Sequence, residues 1–131
     1  MNLLITTLGT SWQIVPELFS VTNPHDYDFF CGSDYTKKFR EENSIQNVDE
    51  VWVITTEGQH DLDKLENWSK KWNCKLQVFV CKGVNGFVNE DEIIKMRSLI
   101  YRIVLHGSAI SSTMYLSLSG GRKTMSADMQ E

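Results

Sequence analysis

Ser119-Gly120-Gly121-Arg122-Lys123-Thr124 brings together the residue types that hold a phosphate. Two adjacent glycines let the backbone approach an anion closely and adopt positive φ. A helix starting there aims unpaired N–H groups and its positive dipole end at the same point. Arg122 and Lys123 add fixed charge, and Thr124 adds a hydroxyl donor. The competing reading is a plain strand-to-helix turn with two exposed cations. The segment is not a Walker A loop, because Arg122 stands where that motif needs a glycine before its lysine.

Three more turns have related chemistry. Leu8-Gly9-Thr10-Ser11 offers hydroxyls and backbone amides at a helix start, where Ser11 either caps the helix or binds a phosphate or ribose. Trp12 beside it either stacks on a base or packs. Thr55-Thr56-Glu57-Gly58-Gln59 supplies Thr56 and Glu57 as ligand contacts. Glu57 and Asp61 could pair as acid and base, although Asp61 is equally explained as a helix cap. His60 follows as a ligand contact or a surface residue. Cys81-Lys82-Gly83-Val84-Asn85-Gly86 supplies Lys82 and Asn85, and the Asn85 amide suits an adenine edge. Gly9 to Ile14 does not match the dinucleotide fingerprint GxGxxG.

These turns need elements to position them. Leu3–Leu8, Val51–Thr56, Leu76–Cys81 and Met114–Leu118 are largely apolar runs of strand length, β-branched most clearly in the first two. Between them, helical spacing relates Ile14, Val15, Leu18 and Phe19, then Leu62, Leu65, Trp68 and Trp72. It also relates Ile93, Met96, Ile100, Ile103 and Val104, in a helix ending near His106. Pro16 fits only a first helical turn. Thr10 or Ser11 is expected to cap the first helix and Asp61 the next. Asn89 with Glu92 has capping-box spacing for the long one. Strands alternating with helices predict an α/β, Rossmann-like three-layer domain with a mainly parallel sheet and helices on both faces. Right-handed crossovers place every strand's carboxyl end, and all four turns, on one rim. Ligands of open α/β sheets bind at that rim. Residues 21–48 read as a loop-rich insert with a charged helix over Tyr35–Asn43, of no assigned role.

Composition narrows the function classes. The 131 residues fit one domain with a real core. A net charge of −4 argues against a duplex nucleic-acid partner and for locally placed donors around a small anion. Cys31, Cys74 and Cys81 are odd in number and lack CxxC spacing, so they are expected to be reduced and packed rather than metal-binding. No metal or cofactor is expected. No apolar run is long enough to span a bilayer, and no leader sequence is visible, so a cytoplasmic protein without membrane contact is expected. Met125–Glu131 make about two turns of helix, too short to cover a sheet. This leads us to expect a domain cut short at its C-terminal end or the front part of a longer protein.

LLITTLGTS at the first strand and LSLSGGRKTM at the fourth resemble the CARF domains of type III CRISPR systems. The nearest group is the CRISPR ring nucleases, and VWVITTEG resembles their second strand. The likeness covers the strand framework from Asn2 to about Met129 and is weak over 21–48. Trp12 stands where that group often has proline. The resemblance implies a cyclic oligoadenylate ligand, cyclic tetra- or hexa-adenylate, lying across the two-fold axis of a homodimer. It implies either a sensor that regulates a C-terminal effector in antiviral defence, or a ring nuclease that cleaves the ring without metal. In the second case Lys123 would stabilise phosphorane charge, Ser11 would position the reacting group, and Gly120, Gly121 and Arg122 would line the phosphate path. An unrelated binder of small phosphometabolites shares only the rim chemistry.

Overall fold

The computed structural model describes residues 1–9, 11–29, 34–58, 61–84 and 89–117. The elements run β1 Asn2–Thr7, α1 Ile14–Thr22, α2 Asp34–Glu42, β2 Glu50–Thr56, α3 Leu62–Lys71, β3 Leu76–Cys81, α4 Glu90–Ile110 and β4 Thr113–Ser117. The strands form one sheet in the order β3-β2-β1-β4, with every neighbouring pair parallel. The chain therefore steps outward twice, from β1 to β2 to β3. It then crosses back over the sheet to place β4 on the free side of β1.

Alternation along β1 separates two cores. Leu3 and Ile5 face one way, joined by Trp52, Ile54 and the Met96, Ile100 and Ile103 stripe of α4. Leu4 faces the other way, joined by Val51, Val53, Val15 and Phe19 of α1, and Leu65 and Trp68 of α3. Helices thus cover both faces, giving the three-layer, Rossmann-like α/β fold that the strand–helix alternation predicts. Crossovers of constant right hand require this split, because reversing direction across the sheet moves the connecting helix to the opposite face. Each fully buried aliphatic, such as Val15 or Leu65, contributes about 1.5–3 kcal/mol.

Four local expectations need correction. β1 ends at Thr7, with Leu8 buried just beyond it. α4 runs on to Ile110 rather than stopping near His106. Gly107 does not end it, because that glycine is where the helix touches the sheet. A Cβ there would lie 2.8 Å from Leu3 Cδ2 and 3.0 Å from Ile5 Cδ1. α1 is preceded by Gln13 with no side-chain cap, since the chain takes one further turn through Trp12 before the helix begins. Asp61 sits at the predicted N-cap of α3, yet its carboxylate pairs with Lys64 at 3.5 Å instead of capping. The Asn89 cap is as expected, its side chain accepting from the Glu92 N–H at 3.0 Å.

The insert has a structural part to play away from the rim. Asn23, at the end of α1, donates to the Val48 carbonyl at 3.0 Å and accepts from the Val48 N–H at 2.9 Å. Arg40 of α2 donates to the Thr22 carbonyl and to Asn47 Oδ1. Gln46 donates its N–H to the Tyr115 hydroxyl of β4. Asn23, Arg40 and Gln46 therefore brace the amino-terminal edge of the sheet. Asn23→Ala leaves both backbone groups of buried Val48 without partners, and it lowers stability by about 2–4 kcal/mol in urea unfolding. A loss under about 0.5 kcal/mol would show that the brace contributes little.

Candidate functional site

β1 and β4 leave the sheet side by side. Their register pairs Ile5 with Leu116 and Thr6 with Ser117. The chain entering Ser119–Thr124 thus departs one strand away from the chain entering Gly9–Trp12. From β1 the chain moves to β2 on one side, whereas β4 arrives from β3 on the other side, so this is the topological switch point, where an open α/β sheet leaves a crevice.

The carboxyl third of the sheet changes character. After Asn2 and Glu50, β1 and β2 run through buried apolar residues to Ile5 and Ile54, and both end in paired threonines. Thr6, Thr7, Thr55, Thr56 and Ser117 are all buried. The Thr6 hydroxyl donates to the Thr7 carbonyl and that of Thr55 to the Leu8 carbonyl. The Thr7 hydroxyl is fully buried and has no hydrogen-bond partner among the described residues. A buried polar group in that state costs stability unless something supplies a partner.

The turns are stitched together beneath the rim. The Leu8 N–H donates to the Ile54 carbonyl at 2.9 Å, and the Glu57 N–H donates to the Val84 carbonyl at 2.8 Å. Gly58 and Gly83, each two residues past a strand end, have φ of +85° and +81°, which only glycine adopts without strain.

The predicted contacts separate on this frame. Gly9 is half-buried at the end of β1. Ser11 is exposed, its hydroxyl donating to Gln13 Oε1 at 3.4 Å. Trp12 is half-buried and packs on the α1–α3 core. Thr56 is buried at the end of β2, Glu57 is half-exposed just past it, and Lys82 is exposed past β3. Asp61 is paired with Lys64 at 3.5 Å. Thr10, His60, Asn85 and Ser119, Gly120, Gly121, Arg122, Lys123 and Thr124 lie outside the described residues. His106 stacks on Trp52, with ring centroids 5.6 Å apart, as a packing residue. The sequence reading missed the Thr7 hydroxyl, although the doubled threonines closing β1 and β2 were its visible signal.

Cys74 and Cys81 are free and buried, as expected, and Cys31 lies outside the described residues. Burial, helped by the Asp26 carboxylate, pushes the Cys74 thiol up to about 12. Burial also raises Cys81, against the opposing pull of Lys95 and Arg102, while Glu57 reinforces the rise. Neither is poised as a thiolate nucleophile at neutral pH. Among the described residues, no three His, Cys, Asp or Glu side chains gather as a metal site, and no helix is long and apolar enough to cross a membrane.

No protein-family model matches the chain, and no curated protein is similar to it.

Thr7→Val keeps the shape of the side chain and removes the unpartnered hydroxyl. It stabilises the unliganded domain by about 1 kcal/mol, a rise in Tm of about 4 °C for a chain of this size. A fall in Tm on thermal melting would mean that the hydroxyl is partnered.

Proposed function

We propose that this chain is a cytoplasmic CARF sensor domain that binds cyclic oligoadenylate at the β1–β4 rim and regulates an effector domain in type III CRISPR defence. The parallel pairing of β1 with β4 carries this reading. It brings the departure points of the LGTS and SGGRKT segments to neighbouring strands, as a shared polyanion site requires. Thr6 and Thr55 donate their hydroxyl protons to backbone carbonyls, whereas the orphaned Thr7 side chain keeps a neutral donor suited to a phosphate or ribose oxygen. A ring of identical adenylates matches a homodimer, since a two-fold axis presents each subunit's rim to half of the phosphates.

A second reading is favoured by one observation. Ser11 is exposed and is not used as a helix cap, so its hydroxyl is available to a ligand. In a ring nuclease, a ribose 2′-oxygen attacks the adjacent phosphorus in line. The bond to the next 5′-oxygen breaks, leaving a 2′,3′-cyclic phosphate and a 5′-hydroxyl. Ser11 would fix the reacting group and Lys123 the developing negative charge. Rate enhancement would then come from positioning and electrostatic stabilisation, without metal.

Incubation with labelled cyclic tetra- and hexa-adenylate in EDTA separates the readings. Tight binding without linear products is expected of the sensor, and linear products mark the nuclease. Absence of binding to both rings sinks both. Lys123→Ala is expected to weaken binding or cleavage about 10- to 100-fold, the value of a charge-assisted contact, while Tm stays within a few degrees. Unchanged affinity in that variant moves the site elsewhere. Ser11→Ala is expected to reduce the cleavage rate more than affinity if the nuclease reading holds, and equal losses would restrict Ser11 to binding.

A further inference from the structure

The opposite edge of the sheet carries a groove that shares Lys82 alone with the predicted rim contacts. β3 is the edge strand there, and α4 begins past its carboxyl end and runs back along the face. Between them lies an open groove of about 450 Å3. Lys95, Ser98 and Arg102 of α4 line it at positions i, i+3 and i+7, so one helix face supplies two cations and a hydroxyl. Lys82 joins them from the turn after β3. The Lys95 ammonium reaches that turn, lying 3.5 Å from where a Cβ on Gly83 would sit.

Among the described residues no ion pair joins Lys82, Lys95 or Arg102, although Arg102 Nε donates to the Ser98 carbonyl at 3.4 Å. No carboxylate is among the described residues that line the groove, so positive charge prevails along its walls although the chain as a whole is acidic. The other wall is apolar and open to solvent. Val80 is 38% exposed and Ile94 58% exposed, with half-buried Leu99 between α4 and the sheet. Clustered cations beside bare aliphatic surface suit a ligand with an anionic end and a flat or apolar end. The volume falls within the range of small-molecule sites.

We infer that the β3–α4 groove binds a phosphate monoester of nucleoside-monophosphate size, its phosphate held by Lys82, Lys95 and Arg102 and its base laid on Val80 and Ile94. The site is separate from the switch point. At about 4.8 Å per strand, β3 lies about 10 Å from β1 and about 14 Å from β4. The inference stands whether or not the rim takes a cyclic ligand.

Titration of the isotopically labelled full chain with adenosine 5′-monophosphate tests it, with adenosine and inorganic phosphate as comparison probes in 150 mM salt. Amide shifts are expected to saturate and to centre on Val80–Lys82 and Ile94–Arg102. Adenosine is expected to bind at least about 10-fold more weakly, as loss of charge-assisted contacts implies. Lys95→Ala combined with Arg102→Ala is expected to raise the Kd by a similar factor or more. Lys95→Gln with Arg102→Gln replaces that pair if the alanine variant melts early. Shifts centred on the ends of β1 and β4, unchanged affinity in the double variant, or no saturation would each overturn the proposal. Inorganic phosphate binding as tightly as the nucleotide would reduce the groove to an adventitious ion site only, and would overturn it too.

Discussion

The return of the chain across the sheet between β3 and β4 is the constraint on which the rest depends. Parallel strands cannot be joined by a hairpin, so each connection must cross a face of the sheet. Two outward steps place α1 and α3 on one face, and the single long return places α4 on the other. β1 is thereby buried between two cores and flanked by two strands. The contact of Gly107 with Leu3 and Ile5 fixes how closely the return helix lies on β1. Any larger side chain there must displace the buried ends of Leu3 and Ile5 or lift α4 from the sheet.

What was legible in the sequence followed simple periodicities. Short apolar runs marked all four strands, and the Met96, Ile100 and Ile103 stripe marked α4. Capping was legible only where a side chain had no competing partner. Asn89 caps as its spacing implies, whereas Asp61 is taken by Lys64 one turn along. The end of α4 was misread because glycine signals both a helix stop and a close approach, and only the tertiary contact tells them apart. The insert was opaque for a related reason. Its order comes from Asn23 meeting Val48 and Arg40 meeting Thr22, pairings no local pattern announces.

The candidate rim was legible as a place more than as a set of contacts. Glycines after β1, β2 and β3 and the doubled threonines pointed to one edge, and the strand order put the two phosphate-type segments on neighbouring strands. The exposed Ser11, the packed Trp12 and the unpartnered Thr7 hydroxyl were not separable from sequence, because each depends on what lies above or beneath the turn. The charge of −4 likewise concealed local order. Its carboxylates crowd the insert and the first turn of α4, while Lys82, Lys95 and Arg102 gather on one groove.

The β1–β4 ladder joins residues that are remote along the chain, with Met1 and Ser112 hydrogen-bonded across a separation of 111. Such high contact order makes folding slow, since a long loop must close before its contacts repay the lost entropy. Until β4 docks, a growing chain presents β1 with a bare edge, together with the apolar Leu3–Ile5 face that α4 will cover. Those are the surfaces on which strands of neighbouring chains pair wrongly. The β1–β4 part of the rim exists only once β4 has docked, and the same docking covers that bare edge of β1.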